Sequence, residues 1–274
     1  MVKLFLAFLL LFTSLLADDG ALSSTLNSIL GTKSYNANRA LINVVFKQKE
    51  SYYNGNSIDV IKVMKALENN KLVNLSLKTS QNITLSFSTK GSSVFLVKIM
   101  SDALRNIGYY KYTTKEARSA GSQFFWTIEY SGDSVIDPVA LDAELAKSGC
   151  KITDIQIANP ASWSYEIEMS SAHLNATVLD TTTTVNFERD MSEKWIEVLH
   201  VSKVEISSNN MNSWYPSISF YDSNLHLLKV EKIDKKTSEL ILDLPSDTVY
   251  MKISDLYTLS NIKNGFSIQA QTSR

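Results

Sequence analysis

The sequence predicts an α+β protein in three parts: a cleavable signal peptide, a two-layer domain of repeated αββ units, and an all-β sandwich. Three observations predict it. Apolar residues fill Leu4 to Leu16 except for Thr13 and Ser14. A helix followed by two alternating strands recurs three times between residues 57 and 170. Beyond about Ala176 the helical spacing of apolar residues stops, and short strands separated by turn residues take over.

Residues 1–17 carry Lys3, the apolar run, and Ala17 before Asp18-Asp19-Gly20, the tripartite pattern of an export signal cut near Ala17/Asp18. The run is too short for a permanent span, which needs about 20 apolar residues, and no second run follows. A stable transmembrane protein is therefore not expected. The mature chain has 26 basic and 28 acidic residues once Lys3 is removed from the 27 basic residues of the whole. Near-neutral charge without a basic block excludes nucleic acid as a partner. Cys150 is the single cysteine, so no intrachain disulfide can form, and its place after Gly149 at the start of an apolar strand predicts a buried, inert thiol. Low proline and glycine with abundant Asn, Lys and Ile point to a bacterial periplasm.

Residues 18–56 read as a helical lead-in. The first repeat then places Ile58, Ile61, Met64 and Leu67 at helical spacing. It continues as two strands, Val73–Leu77 and Ile83–Phe87, around the polar turn Thr79–Asn82. The second has a helix over about 94–107 stopped by Gly108, then strands Tyr109–Thr114 and Gln123–Tyr130. The third starts at Asp137-Pro138, an N-cap followed by a proline whose missing N–H costs nothing there. It runs to Gly149, with strands 151–158 and 162–169 split by Asn159-Pro160. The helix-end leucines Leu67, Leu104 and Leu145 are matched four residues later by Lys71, Gly108 and Gly149. A helix plus an antiparallel hairpin buries its apolar stripe against a sheet face. Such modules resemble the ferredoxin-like units of bacterial envelope rings and secretion machines.

Residues 176–274 contain seven expected strands, at 177–187, 195–206, 217–221, 226–233, 239–242, 248–253 and 266–269, in a jelly-roll or immunoglobulin-like sandwich. Through Trp195-Ile-Glu-Val, Val204-Glu-Ile and Trp214-Tyr-Pro-Ser-Ile-Ser-Phe-Tyr-Asp222 this half resembles galactose-binding-like jelly rolls. That likeness implies a non-catalytic module with binding loops at its ends. Through Gly108-Tyr-Tyr-Lys-Tyr-Thr-Thr-Lys-Glu-Ala117 the whole chain resembles exported proteins of the Campylobacter and Sulfurimonas group.

The three histidines are scattered without metal-ligand spacing, and no nucleophile elbow, S-x-x-K, phosphate loop or H-E-x-x-H occurs. No metal site, cofactor or catalytic residue is expected. Two aromatic groups remain. Trp214 and Tyr215 follow the Asn-rich Ser207–Ser213, a combination suited to stacking on a sugar while amides bond its hydroxyls, or else to plugging one end of the sandwich core. Tyr110 and Tyr112 alternate with Tyr109 and Lys111 along an expected strand and form a partner surface if they face outward. The leading expectation is a non-enzymatic periplasmic interaction or envelope-assembly protein with an envelope protein as partner. A glycan-binding module comes second, and a hydrolase without a local signature third.

Overall fold

The computed structural model describes residues 18–271. The expected signal peptide lies outside the described residues. The chain divides into two compact units on either side of the His173–Leu174 bond.

In the first unit, α1 (Asp18–Ala37) buries Leu22, Leu26 and Ile29 and is interrupted at Gly31, whose φ of 72° lies outside the helical region. After α2 (Arg39–Val45) and a short β1–β2 hairpin (Tyr53–Asn54, Ser57–Ile58) comes α3 (Val60–Asn69), capped by the Asp59 carboxylate on Lys62 N–H at 3.0 Å. Then follow β3 (Ser76–Thr89), α4 (Ser93–Asn106), β4 (Thr113–Ala120), β5 (Gln123–Ser134), α5 (Pro138–Ala146), β6 (Lys151–Asn159) and β7 (Ser162–Glu168). The sheet order is β4-β5-β3-β7-β6, with β3 and β7 parallel and the other neighbours antiparallel. Helices α3, α4 and α5 bury Leu67, Leu104, Met100 and Leu141, and one sheet face buries Phe87, Ile128, Trp126, Trp163 and Tyr165.

The recurring feature is the helix end. Lys71, Gly108 and Gly149 adopt φ of 59°, 94° and 67°. In each case the next amide bonds back to the helix-end leucine: Leu72 N–H to Leu67 O at 2.9 Å, Tyr109 to Leu104 at 2.7 Å, Cys150 to Leu145 at 3.1 Å. These are three Schellman motifs, in which a left-handed residue satisfies carbonyls the helix leaves open. At Gly149 no other residue fits, because a Cβ would lie 2.1 Å from Ser171 O.

The threefold αββ reading needs correction in its first copy. The two strands expected at 73–77 and 83–87 are one 14-residue strand, β3, with a register irregularity between Ser76 and Gln81. Thr79-Ser-Gln-Asn82 supplies no glycine for the positive φ of a tight hairpin turn. The segment stays extended and pairs with β5 and β7. The first strand of the second copy is also displaced: residues 109–112 are irregular, and β4 starts at Thr113.

The described residues of the second unit hold nine strands rather than seven: β8 (Thr177–Leu179), β9 (Thr184–Phe187), β10 (Lys194–Val198), β11 (Lys203–Ser208), β12 (Pro216–Tyr221), β13 (Leu227–Lys232), β14 (Glu239–Asp243), β15 (Tyr250–Asp255) and β16 (Phe266–Ala270). Two of the expected strands are each broken by a turn. The Asp180 carboxylate takes the N–H groups of Thr182 and Thr183 at 2.8 and 2.9 Å, and His200 adopts φ 58° between β10 and β11. The sheets run β13-β12-β15-β10-β8 and β14-β11-β16-β9. Leu179, Ile196, Val198, Ile218, Phe220, Met251 and Ile253 of the first sheet share one core with Val185, Val204, Ile206, Phe266 and Ile268 of the second. This is a β-sandwich.

Among the described residues two buried side-chain hydroxyls, those of Tyr165 and Thr248, are unsatisfied. The Tyr165 hydroxyl is buried, and among the described residues it has no hydrogen-bond partner. An orphaned buried hydroxyl costs about 1 to 3 kcal/mol. Tyr165→Phe, which keeps the ring stack on Phe87 at 5.5 Å, is expected to raise stability by about 1 kcal/mol, measured by denaturant unfolding.

Candidate functional site

Two of the three asparagines of the Asn-rich loop, Asn209 and Asn212, bond the protein itself. Asn212 is buried; its amide N–H groups reach Gly265 O at 2.8 Å and Ser208 Oγ at 3.1 Å, and its carbonyl takes Asn264 N–H at 3.0 Å. Asn209 accepts Met211 N–H at 2.9 Å. Trp214 is 1% exposed within the sandwich core and donates its indole N–H to Ser254 O at 3.0 Å. The sugar-platform expectation is therefore corrected for Trp214, which presents no ring face to a ligand, while the amides beside it bond protein groups. Tyr215 is half-buried and meets Tyr257 edge-on at 5.1 Å. Both chain segments at this end are held by Asp255, whose carboxylate accepts the N–H groups of Tyr215, Tyr257 and Thr258 and the Asn261 amide, all within 2.8–3.0 Å.

The second expected pair separates. Tyr110 is 69% exposed. Tyr112 turns inward, edge-on to Trp126 at 5.8 Å with its hydroxyl on Ser101 Oγ at 3.1 Å. The two do not form one outward face, because Tyr109–Tyr112 lie before β4 and strand alternation does not govern them. Tyr110 instead rims a cleft of about 260 Å³ with Tyr109, Lys111, Tyr130 and Asp133. Burial raises the Tyr109 hydroxyl pKa, and Asp133 and Asp137 push it further the same way.

Two of the three histidines contact neighbouring protein groups. His226 Nδ1 lies 3.0 Å from Asp222, and His173 Nδ1 lies 3.0 Å from Ser171 O. Among the described residues no group of three or more His, Cys, Asp or Glu side chains is placed to hold a metal ion. Burial pushes the Cys150 thiol up to about 11. The unfolded thiol ionises first, near pH 9, so stability is retained below that pH and falls as pH rises from about 9 to 11. Native Cys150 is expected to resist alkylation at pH 8 and to react once the chain unfolds, as mass spectrometry reads directly.

The feature that sequence reasoning missed is the outer face of the five-stranded sheet. Directly opposed residues in a ladder share a face. Since Ile196, Met251 and Phe220 point into the core, Trp195, Lys252, Ser219 and Val230 form one row on the opposite face, and Glu197, Tyr250, Tyr221 and Leu227 form the next; Ser219 and Tyr250 are buried within it, the Tyr250 hydroxyl taking Leu174 N–H at 3.5 Å. The Trp195 and Tyr221 rings lie 5.1 Å apart, Lys252 Nζ sits 5.8 Å from the Trp195 ring, and Val178, Leu227 and Val230 are exposed. The outer face of the other sheet is instead polar: Lys203, Glu205, Ser207, Ser267, Gln269, Thr184 and Asn186, with Ile241 the exception. The signal was present in the sequence. Trp195-Ile196, Phe220-Tyr221 and Tyr250-Met251 are adjacent apolar pairs, so both faces of their strands carry apolar side chains.

Comparison with known proteins adds little. Neither protein families nor curated proteins give a match. A solved structure described as accessory secretory protein 1, 2 and 3 in Streptococcus pneumoniae aligns over 27% of this chain and 55% of that one, at 15% identity and a TM-score of 0.19. The alignment spans about half of that chain, and a likeness of this size carries no argument. No helix among the described residues is long and apolar enough to cross a membrane.

Proposed function

We propose that the protein is a non-enzymatic, exported interaction protein of the bacterial envelope, working in the periplasm after removal of residues 1–17. Its contact surface is the outer face of the sheet β13-β12-β15-β10-β8. The observation that carries this is the asymmetry of the sandwich. One outer face is polar, as the solvated side of an antiparallel sheet ordinarily is. The other gathers Trp195, Tyr221, Leu227, Val230 and Val178 around Lys252 and Glu197. Aromatic and aliphatic side chains with a few charges among them are the composition of a protein contact core. We also read the strand orders, with β9 to β16 as eight successive strands, as those of a jelly roll, in keeping with the jelly-roll resemblance of this half. The structural employment of His173, His226 and Cys150 supports a non-catalytic role.

A photo-crosslinking residue at position 227 is expected to trap an envelope protein as an adduct of discrete mass in intact cells. One at position 269, on the polar face, is expected to trap none. Equal yields at the two positions would remove the assignment. Retention on peptidoglycan that disappears on Trp195→Ala would move the face to the glycan reading.

A further inference from the structure

We propose that β13, the edge strand of the five-stranded sheet, pairs with β13 of a second copy of this chain to form a symmetric antiparallel dimer. On one side β13 is paired with β12, and no strand among the described residues pairs with the other side. The Ile233 N–H bonds Pro216 O at 2.9 Å, so by the alternation of an antiparallel ladder Glu231 and Lys229 direct their backbone groups to β12. Val230 and Lys232 then direct theirs outward. An edge of this kind is a template for one more strand. Leu227, Leu228 and Val230 of the same strand are exposed.

The charges on β13 select its own copy as the occupant. An antiparallel pair about a twofold axis through Val230 sets Val230 opposite itself, Lys229 opposite the partner's Glu231, and Glu231 opposite the partner's Lys229. Val230 then takes a hydrogen-bonded position, where the two copies exchange N–H and C=O groups. The Lys–Glu pairs take the flanking positions, where Cα atoms approach to about 4.5 Å and side chains lie closest. Opposite charges directly across a ladder attract and like charges repel. Within one chain Lys229 Nζ already lies 2.9 Å from the Glu231 carboxylate, so the dimer joins two such pairs into a ring of four alternating charges. Lysine on an edge strand ordinarily deters pairing, but in this register it meets glutamate. The other edges of the sandwich fail the same test. Self-pairing of β14 about its central Ile241 would set Glu239 against the partner's Asp243, acid on acid, and β8 and β9 have only three and four residues. A single strand edge falls below the roughly 800 Å² per partner of a standard interface, so the dimer is a weak one in exchange with monomer. The edge is distinct from the sheet face assigned above, and either assignment can fail alone.

Sedimentation equilibrium of the full chain, as recovered from expressing cells, is expected to show monomer and dimer in exchange by about 0.1 mM. Lys229→Glu and Glu231→Lys each put two like-charged pairs across the axis, and each is expected to raise the dissociation constant about tenfold or more. The double variant restores both pairs in reverse, and its dissociation constant is expected to return to that of the parent. Raised salt weakens the parent dimer. Val230→Cys is expected to give a disulfide-linked dimer on mild oxidation, since the Cα atoms of a hydrogen-bonded pair lie about 5.5 Å apart. Leu228→Cys, four residues from its counterpart along the ladder, is expected to give none. Should one reversal disturb folding, the double variant and the two cysteine variants still decide. A chain that stays monomeric at about 0.1 mM overturns the proposal. So does a dimer that the reversals leave unchanged, or that Val230→Cys does not lock, because the second copy then sits on another surface. An adduct from position 227 at twice the chain mass is a second copy, and is told by that mass from an envelope protein.

Discussion

Replacing Trp214 with alanine is expected to destabilise the C-terminal unit by about 3 to 5 kcal/mol, the range for deleting a large buried aromatic. Three losses act together. The indole leaves a cavity in a core it shares with Ile218, Phe220, Ile253 and Phe266. The rim cannot fill it, because the neighbouring loop is fixed by Asn212 bonded to both Gly265 and Asn264. Ser254 O, 3.0 Å from the indole nitrogen, also loses its donor. For a unit of about 100 residues each kcal/mol moves the midpoint by roughly 4 to 8 °C, so a fall of about 15 °C or more is expected in a thermal scan. Tyr215→Ala removes a half-buried ring and its edge-on contact with Tyr257, and is expected to cost about 1 kcal/mol. The contrast separates the residues: Trp214 is a structural plug and Tyr215 is its partly exposed neighbour. A Trp214→Ala protein that melts like the parent would return the loop to the glycan reading.

How much of this was legible depends on the range of the interaction involved. Helix ends are local, and the spacing from Leu67, Leu104 and Leu145 to Lys71, Gly108 and Gly149 already marked three equivalent termini. The lysine adopts the same left-handed conformation as the two glycines. Strand partners are not local. Alternation in 73–77 and 83–87 predicts a hairpin, yet β3 pairs with β5, about 50 residues away, and with β7, still further on. Nothing within residues 73–87 records that choice except the lack of a turn-forming glycine. The tyrosine cluster failed for a related reason. Alternation arguments hold only inside a strand, and the contacts of Tyr109 with Tyr130 and of Tyr112 with Trp126 hold residues 109–112 out of β4. In the sandwich, the Asn-rich loop was visible as polar, but whether its amides faced solvent or each other depended on Asn264 and Gly265, some 50 positions downstream. The aromatic outer face was present in adjacent apolar pairs, and became a surface once the register of β10, β12, β13 and β15 aligned them.

The second large effect is expected at Asp255, a residue that composition and motif searches pass over. Its side chain is 9% exposed, and it binds two segments of chain that are about 40 residues apart. One oxygen takes Tyr215 N–H at 2.8 Å. The other takes Tyr257 N–H at 2.9 Å, Thr258 N–H at 2.9 Å and the Asn261 amide at 3.0 Å. The local half of this arrangement is an Asx turn, an aspartate accepting the amides two and three residues on; the long-range half fixes the Trp214 loop to the end of β15. Asp255→Ala leaves three backbone N–H groups without their acceptor, and at about 1 kcal/mol or more for each a loss of about 3 kcal/mol or more is expected. Asp255→Asn is the informative companion. An amide oxygen in the position that now receives three donors preserves those bonds, while the amide nitrogen then faces Tyr215 N–H and repels it. The expected loss is about 1 to 2 kcal/mol, and it falls on the long-range contact alone. Guanidinium unfolding of the three proteins ranks them, and hydrogen exchange locates the damage: in the asparagine variant it is expected at Tyr215, with Tyr257 and Thr258 still protected. Equal stability of the alanine and parent proteins would mean that water replaces the carboxylate without penalty and that the loop is held by Trp214 packing instead.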